Sequence, residues 1–282
     1  MWTEILRTAT DEEGKLPDAA GEIELPVRAR RFNRNMILFL VACELFLIII
    51  DATINYEAWV SVSGIRRMAN IAREDGIGTW FMTIQTMLAG ATLFVVYLVS
   101  KNSGARRRDY TSWLLLSLFF FLMAIDDASQ VHERLGSAFR QYAEAGDSLP
   151  GRILDFFPSY SWQAFILPFF AIAGVLMFFF LWTRLRDNSG RFKLILALDC
   201  FIVAIFLDFI EGLDPGSRLN IFMKLVNNTS LSEDFVYHFA KVIEESLEMF
   251  AITLLLSTFF MHLARSVGSM RISFHTEARR SG

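Results

Sequence analysis

Five polar side chains stand at the head of one long apolar run. His238, Lys241, Glu244, Glu245 and Glu248 lead into Ala251–His262, a stretch rich in Leu, Ile, Phe and Met. At about 100° per residue, His238, Lys241, Glu245 and Glu248 fall within roughly 80° of one another on a helix, with Glu244 about 40° further round. They share a face. An ionised group inside a bilayer costs at least about 2.5–3.5 kcal/mol on insertion scales, so such residues face the bundle interior, a water cavity or a partner.

Other apolar runs carry acids of the same kind. One ends in Asp126-Asp127-Ala128-Ser129-Gln130-Val131-His132-Glu133, another ends with Asp208 and Glu211, and the first holds Glu44, Asp51 and Asn55 on one stripe. If the helix ending in Asp126 continues, Asp126, Gln130 and Glu133 share a face. Carboxylates crowded at low dielectric repel, so some take up protons or a cation holds them together. Mixed Asp, Glu and His ligation suits zinc, iron or manganese, whereas an all-oxygen set suits calcium or magnesium. The expected ligand set is Asp126, His132, Asp208, His238, Glu245 and Glu248. Glu244 and Glu133 are the candidate catalytic acids and bases, and Glu44, Asp51 and Glu211 support the ligands or form a proton path. Three plainer readings use the same residues: a buried ion-pair network around Lys241, a cation path, and helix-end caps at Asp126-Asp127. Asp199, about half a turn from Asp208, stays outside the set.

These residues need helices to hold them, and the composition supplies helices for a membrane. The chain of 282 residues is 54% hydrophobic with 28 Phe, its mean hydropathy is +0.39, and the apolar residues come in long blocks. The net charge of -3 implies no nucleic-acid partner, and Cys43 and Cys200 lie inside apolar runs, which implies no disulfide framework. Spans are expected at about 36–54, 79–100, 111–127, 161–182, 194–211 and 235–263, with Pro168 kinking the fourth. Arg28, Arg30, Arg31 and Arg34, then Lys101 and Arg106–Arg108, then Arg184, Arg186, Arg191 and Lys193, then Arg265, Arg271, Arg279 and Arg280 alternate with these spans. Such clusters mark the cytoplasmic side. The expectation is an all-α, six-helix transmembrane bundle over 36–263, between cytoplasmic tails at 1–35 and 264–282. The segments Tyr56–Gly78, Arg134–Tyr160 and Gly212–Asp234 are expected to be outer connections.

The Asp-Asp-x4-His-Glu end of one span, Arg73-Glu74-Asp75-Gly76 before another and Glu244-Glu245-x2-Glu248 in the last resemble a pattern of uncharacterised bacterial multi-pass membrane proteins. That resemblance covers most of the chain and implies a bacterial inner-membrane location, with no activity attached. The carboxylate layer is also similar in outline to membrane hydrolases of the alkaline ceramidase and adiponectin receptor type, which hold zinc with histidines and an aspartate. Those use a His-x3-His pair in their last spans, where this chain has His238, Glu245 and Glu248. The Glu-x2-His pairs of soluble di-iron bundles are absent.

Three function classes follow. The first is a metal-dependent membrane enzyme acting on a lipid or amphiphile in the outer leaflet, with zinc, iron or manganese activating water. The second is a proton- or cation-coupled transporter using Asp51 and Glu44 as a path. The third is an accessory subunit whose polar interior specifies helix packing. Membrane lipids are the expected partners, with a membrane protein or a second copy of the chain as further ones.

Overall fold

The structure, a computed structural model, describes residues 28–73, 75–144 and 157–267. Residues 29–267 of these belong to one helical body; the tails at 1–27 and 268–282 lie outside the described residues. The helices are α1 (Ala29–Ile50), α2 (Ser63–Ala69), α3 (Ile77–Asn102), α4 (Arg107–Ser129), α5 (Val131–Glu144), α6 (Ser161–Phe165), α7 (Leu167–Arg184), α8 (Asn188–Glu211), α9 (Ile221–Asn228) and α10 (Glu233–Val267). A π segment, Asp51–Tyr56, continues α1.

Among the described residues, five helical stretches are long and apolar enough to cross a membrane: Ala29–Tyr56, α3, α4, α7 and α10. At 24 residues α8 is long enough, but it carries Arg191, Lys193, Asp199, Asp208 and Glu211.

α10 is the axis. Every residue from Ala251 to Phe259 is buried, so this helix is enclosed all round, as an apolar helix without a polar stripe must be. Its small polar residues serve its neighbours: Thr253 bonds Glu44 of α1 and Gln85 of α3, and Ser257 accepts from Lys193 of α8 at 2.7 Å. α1, α3, α8 and α9 pack on α10, and α4 pairs with α3. The core joins Leu93, Phe120, Leu181, Leu194, Leu255 and Phe259. α7 is the exception, with only 11% of its most apolar window buried against 56% for α10.

Three local expectations are corrected. The helix through Asp126 does not continue to Glu133, because Gln130 turns left-handed at φ 53°, the conformation that commonly ends a helix. Glu133 therefore rides on α5, part of which occupies what the sequence suggested was a polar loop. The fourth span is likewise two helices, broken at Ile166, with Pro168 in the first turn of α7. There a missing N–H is harmless. Residues 145–156 of the expected loop lie outside the described residues.

The connection from α1 to α3 is held by charge. Arg67 and Arg73 both bind Asp75, and a Cβ on Gly76 would lie 2.7 Å from the Asn70 carbonyl oxygen, so only glycine fits. Hydrogen bonds from Arg73 and Arg67 pull the exposed Asp75 carboxyl down to about 2, from an ordinary 3.8. Its stabilising contribution is therefore fully present above 3.8 and lost as the pH falls through about 2. Thermal melts of Asp75→Asn should match the parent at the acid end and fall below it toward neutrality, with a gap that closes in high salt.

Candidate functional site

A cavity of about 880 Å³ lies among α4, α7, α8 and α10, within the size range of small-molecule sites. Most of its wall is apolar, including Phe119, Met123, Phe170, Phe178, Leu198 and Ile205. The acids on that wall are Asp126, Asp127, Glu133, Asp199, Asp208, Glu244, Glu245 and Glu248, against which stand Lys241 and His132. Among the described residues the lining is thus strongly acidic, eight carboxylates with one ammonium and one imidazole.

Lys241 is the hub. Its Nζ donates to Glu244 Oε1 at 2.6 Å and lies 3.5 Å from Asp208 Oδ1 and 3.9 Å from Glu245 Oε1. The helical spacing puts Lys241, Glu244 and Glu245 on one side of α10, and the side chain of Asp208 on α8 completes the ring. Gln163, buried on α6, donates to Asp208 Oδ2 at 2.7 Å. One carboxylate oxygen of each of Asp208, Glu211 and Glu244 lies within 4.8 Å of the others. Glu244 is only 4% exposed, and its Oε2 has no hydrogen-bond partner among the described residues. An ionised acceptor left so costs more than an unmade neutral bond, about 1–3 kcal/mol or above.

The rim is built at the break between α4 and α5. Asp126 accepts from the His132 backbone N–H at 2.8 Å and pairs with His132 Nδ1 at 2.9 Å, the arrangement that orients a ligating imidazole. The Trp162 ring meets the His132 ring edge-on at 4.8 Å. Beside them, burial and the negative charge of Glu211, Asp208 and Glu133 push the Tyr160 phenol up, a sign of the field at this end of the cavity.

Other expected site residues are placed elsewhere. His238 Nε2 pairs with Asp51 Oδ2 at 2.8 Å, and the His238 ring stacks on Tyr56. Asp51, fully buried, also accepts from Asn55 and from the Ile71 N–H. Neither Asp51 nor His238 lines the cavity. Glu44 is enclosed with Gln85 and Thr253. Asp126, His132, Asp208, Glu245, Glu248, Glu244 and Glu133 do line it, and Glu211 approaches from its side.

Gln163 and Trp162 were not singled out from the sequence, although a glutamine in the first turn of an apolar run is the kind of polar intruder that marks such a site. Asp199 was set aside for lying opposite Asp208 on a helical wheel. α8 gives the cavity a strip about half a turn wide, with these two residues at its edges.

Neither the curated proteins nor the solved structures include a match to this chain. A family model described as Domain of unknown function (DUF8692) matches residues 36–263, and with that share of its length covered the chain belongs to this family.

Proposed function

We propose that this protein is a six-span bacterial inner-membrane protein that binds a divalent metal at Asp208, Glu211 and Glu244 and uses it to act on a lipid or amphiphile held in the cavity. The carrying observation is the triad itself, three carboxylate oxygens brought together with a buried, unpartnered Glu244 oxygen at the head of an apolar chamber. A cation there offsets the repulsion that Lys241 alone leaves. Hard oxygen ligands favour manganese, magnesium or calcium, and recruiting the Asp126-oriented His132 would extend the range to iron or zinc. Glu245, Glu248, Glu133 and Asp126 stand round the same chamber as further ligands or as acid–base groups for a metal-activated water.

The alternation of Lys/Arg clusters supports α8 as the sixth span and cytoplasmic termini. Glu44 and Asp51 are already hydrogen-bonded outside the cavity, which favours an enclosed reaction site over a continuous cation path. A second copy or another membrane protein remains a partner in this reading, seated elsewhere on the bundle.

Protein purified in mild detergent without chelators is expected to carry about one or two equivalents of metal by mass spectrometry. Asp208→Asn/Glu244→Gln should carry none while keeping its helical signal. His238→Phe, which retains a ring against Tyr56, separates two ligand sets: metal kept assigns the triad, and metal lost returns His238 to the ligands. A folded parent without metal, its stability unchanged by added manganese or zinc, would sink the proposal.

A further inference from the structure

The cavity has a side door. On α7, Ala171, Val175 and Phe179 recur every four residues, line the cavity and are exposed. On α8, Ile195, Asp199 and Ile202, four and then three residues apart, likewise line the cavity and are exposed. Val175 is 54% and Ile202 64% exposed, and the chamber is an open cleft rather than a sealed cavity. The α4 residues on the opposite wall, among them Phe119, Phe120 and Met123, are not exposed. The opening therefore lies between α7 and α8, where the bilayer would be.

The dimensions select what enters. Along α8 the lining runs from Ile195 to Asp208 and along α10 from Lys241 to Leu255, about 20 Å each at 1.5 Å per residue. One leaflet of hydrocarbon is about 15 Å deep, half of a core of about 30 Å. A single extended chain fits that length with its polar end among the acids.

Charge selects the head. Among the described residues, and leaving Asp127 and Glu245 out of the count, six lining carboxylates still outnumber the three positive charges of Lys241 and a divalent cation. An anionic headgroup would add repulsion, whereas an ammonium would be drawn to the lining acids outside the metal triad, Asp199 and Glu248 among them. Asp199, exposed at the mouth and with no hydrogen bond or ion pair among the described residues, sets a carboxylate on the way in.

We infer that the cavity takes a single-chain amphiphile with a cationic amine head, entering sideways between α7 and α8; this names the substrate class of the site proposed above and rests on that reading of it as a lipid-binding chamber.

The test is equilibrium binding of radiolabelled hexadecylamine and hexadecanoate to the purified protein in a neutral detergent, before and after chelation. Hexadecylamine should bind saturably and at least tenfold more tightly than the acid. Val175→Trp/Ile202→Trp, which fills the door, should weaken amine binding at least tenfold, while Ile172→Trp, exposed on α7 but outside the lining, should leave it unchanged. Equal or tighter binding of the acid, or indifference to the door variant, would overturn the inference. Metal content is measured on the same samples, so a metal-free protein that still prefers the amine loses only the metal. A metal-loaded protein with no such preference loses only the substrate class.

Discussion

Lys241→Met is expected to lower stability in detergent by about 3 kcal/mol, the lower end of the range for breaking a buried ion pair. The lower end applies because 18% of the Lys241 side chain is still accessible. Methionine keeps the length and apolar stem but removes the one ammonium that touches Glu244, Asp208 and Glu245 together. Glu244 and Asp208 then lose their shared ammonium in a poorly solvated space, and the repulsion among the acids is the larger part of the loss. Adding Glu244→Gln to Lys241→Met should therefore recover at least half of it, a coupling that a double-mutant cycle reads directly. Unfolding by SDS or heat, followed by circular dichroism, supplies the numbers. If Lys241→Met unfolds like the parent, another cation already holds the acids, and repeating the titration after chelation tests that explanation.

The second large effect belongs to Asp51. Asp51→Ala strands three donors at once, His238 Nε2, Asn55 Nδ2 and the Ile71 N–H, in a place with no exposure at all. With each stranded buried donor costing about 1–3 kcal/mol and some relaxation shared among them, a loss of about 3–5 kcal/mol is expected. His238→Phe keeps the ring-on-ring packing with Tyr56 at 5.2 Å but leaves the buried Asp51 Oδ2 without its donor, so it should cost about 1–3 kcal/mol, less than Asp51→Ala. The same unfolding measurements check both. The comparison also asks what the π segment is for: i→i+5 bonds such as Glu57 N–H to the Ala52 carbonyl widen the helix where Asp51, Asn55 and Tyr56 meet α2 and α10. Such bulges recur at functional sites.

Much of this was legible in the sequence because membranes enforce simple rules. The apolar blocks located α1, α3, α4, α7 and α10, and the price of an ionised group in lipid pointed to Lys241, Glu244 and Glu248 as inward-facing. What periodicity could not give was where helices stop. Gln130 ends α4 through a backbone angle that no side-chain pattern announces, and its consequence, Asp126 folding back on His132, came only with coordinates. Nor does a helical wheel say which neighbour a face meets. His238 and Lys241 lie on one face of α10, yet the first finds Asp51 on the α1 side and the second Asp208 on α8. Spacing along α10 puts the two a turn apart; which neighbour each one meets is set by packing.

The thin packing of α7 bears on how freely its sequence can drift. A helix buried over its whole circumference, as α10 is from Ala251 to Phe259, must match its neighbours methyl by methyl. An outward-facing residue on α7 such as Phe169 or Ile172 need only be compatible with hydrocarbon, so Leu, Ile, Val and Phe are interchangeable there at little cost. Within that latitude only the inward stripe is constrained. A chamber with one wall so loosely specified can be retailored to a new occupant by editing α7, without disturbing the helices that hold the acids.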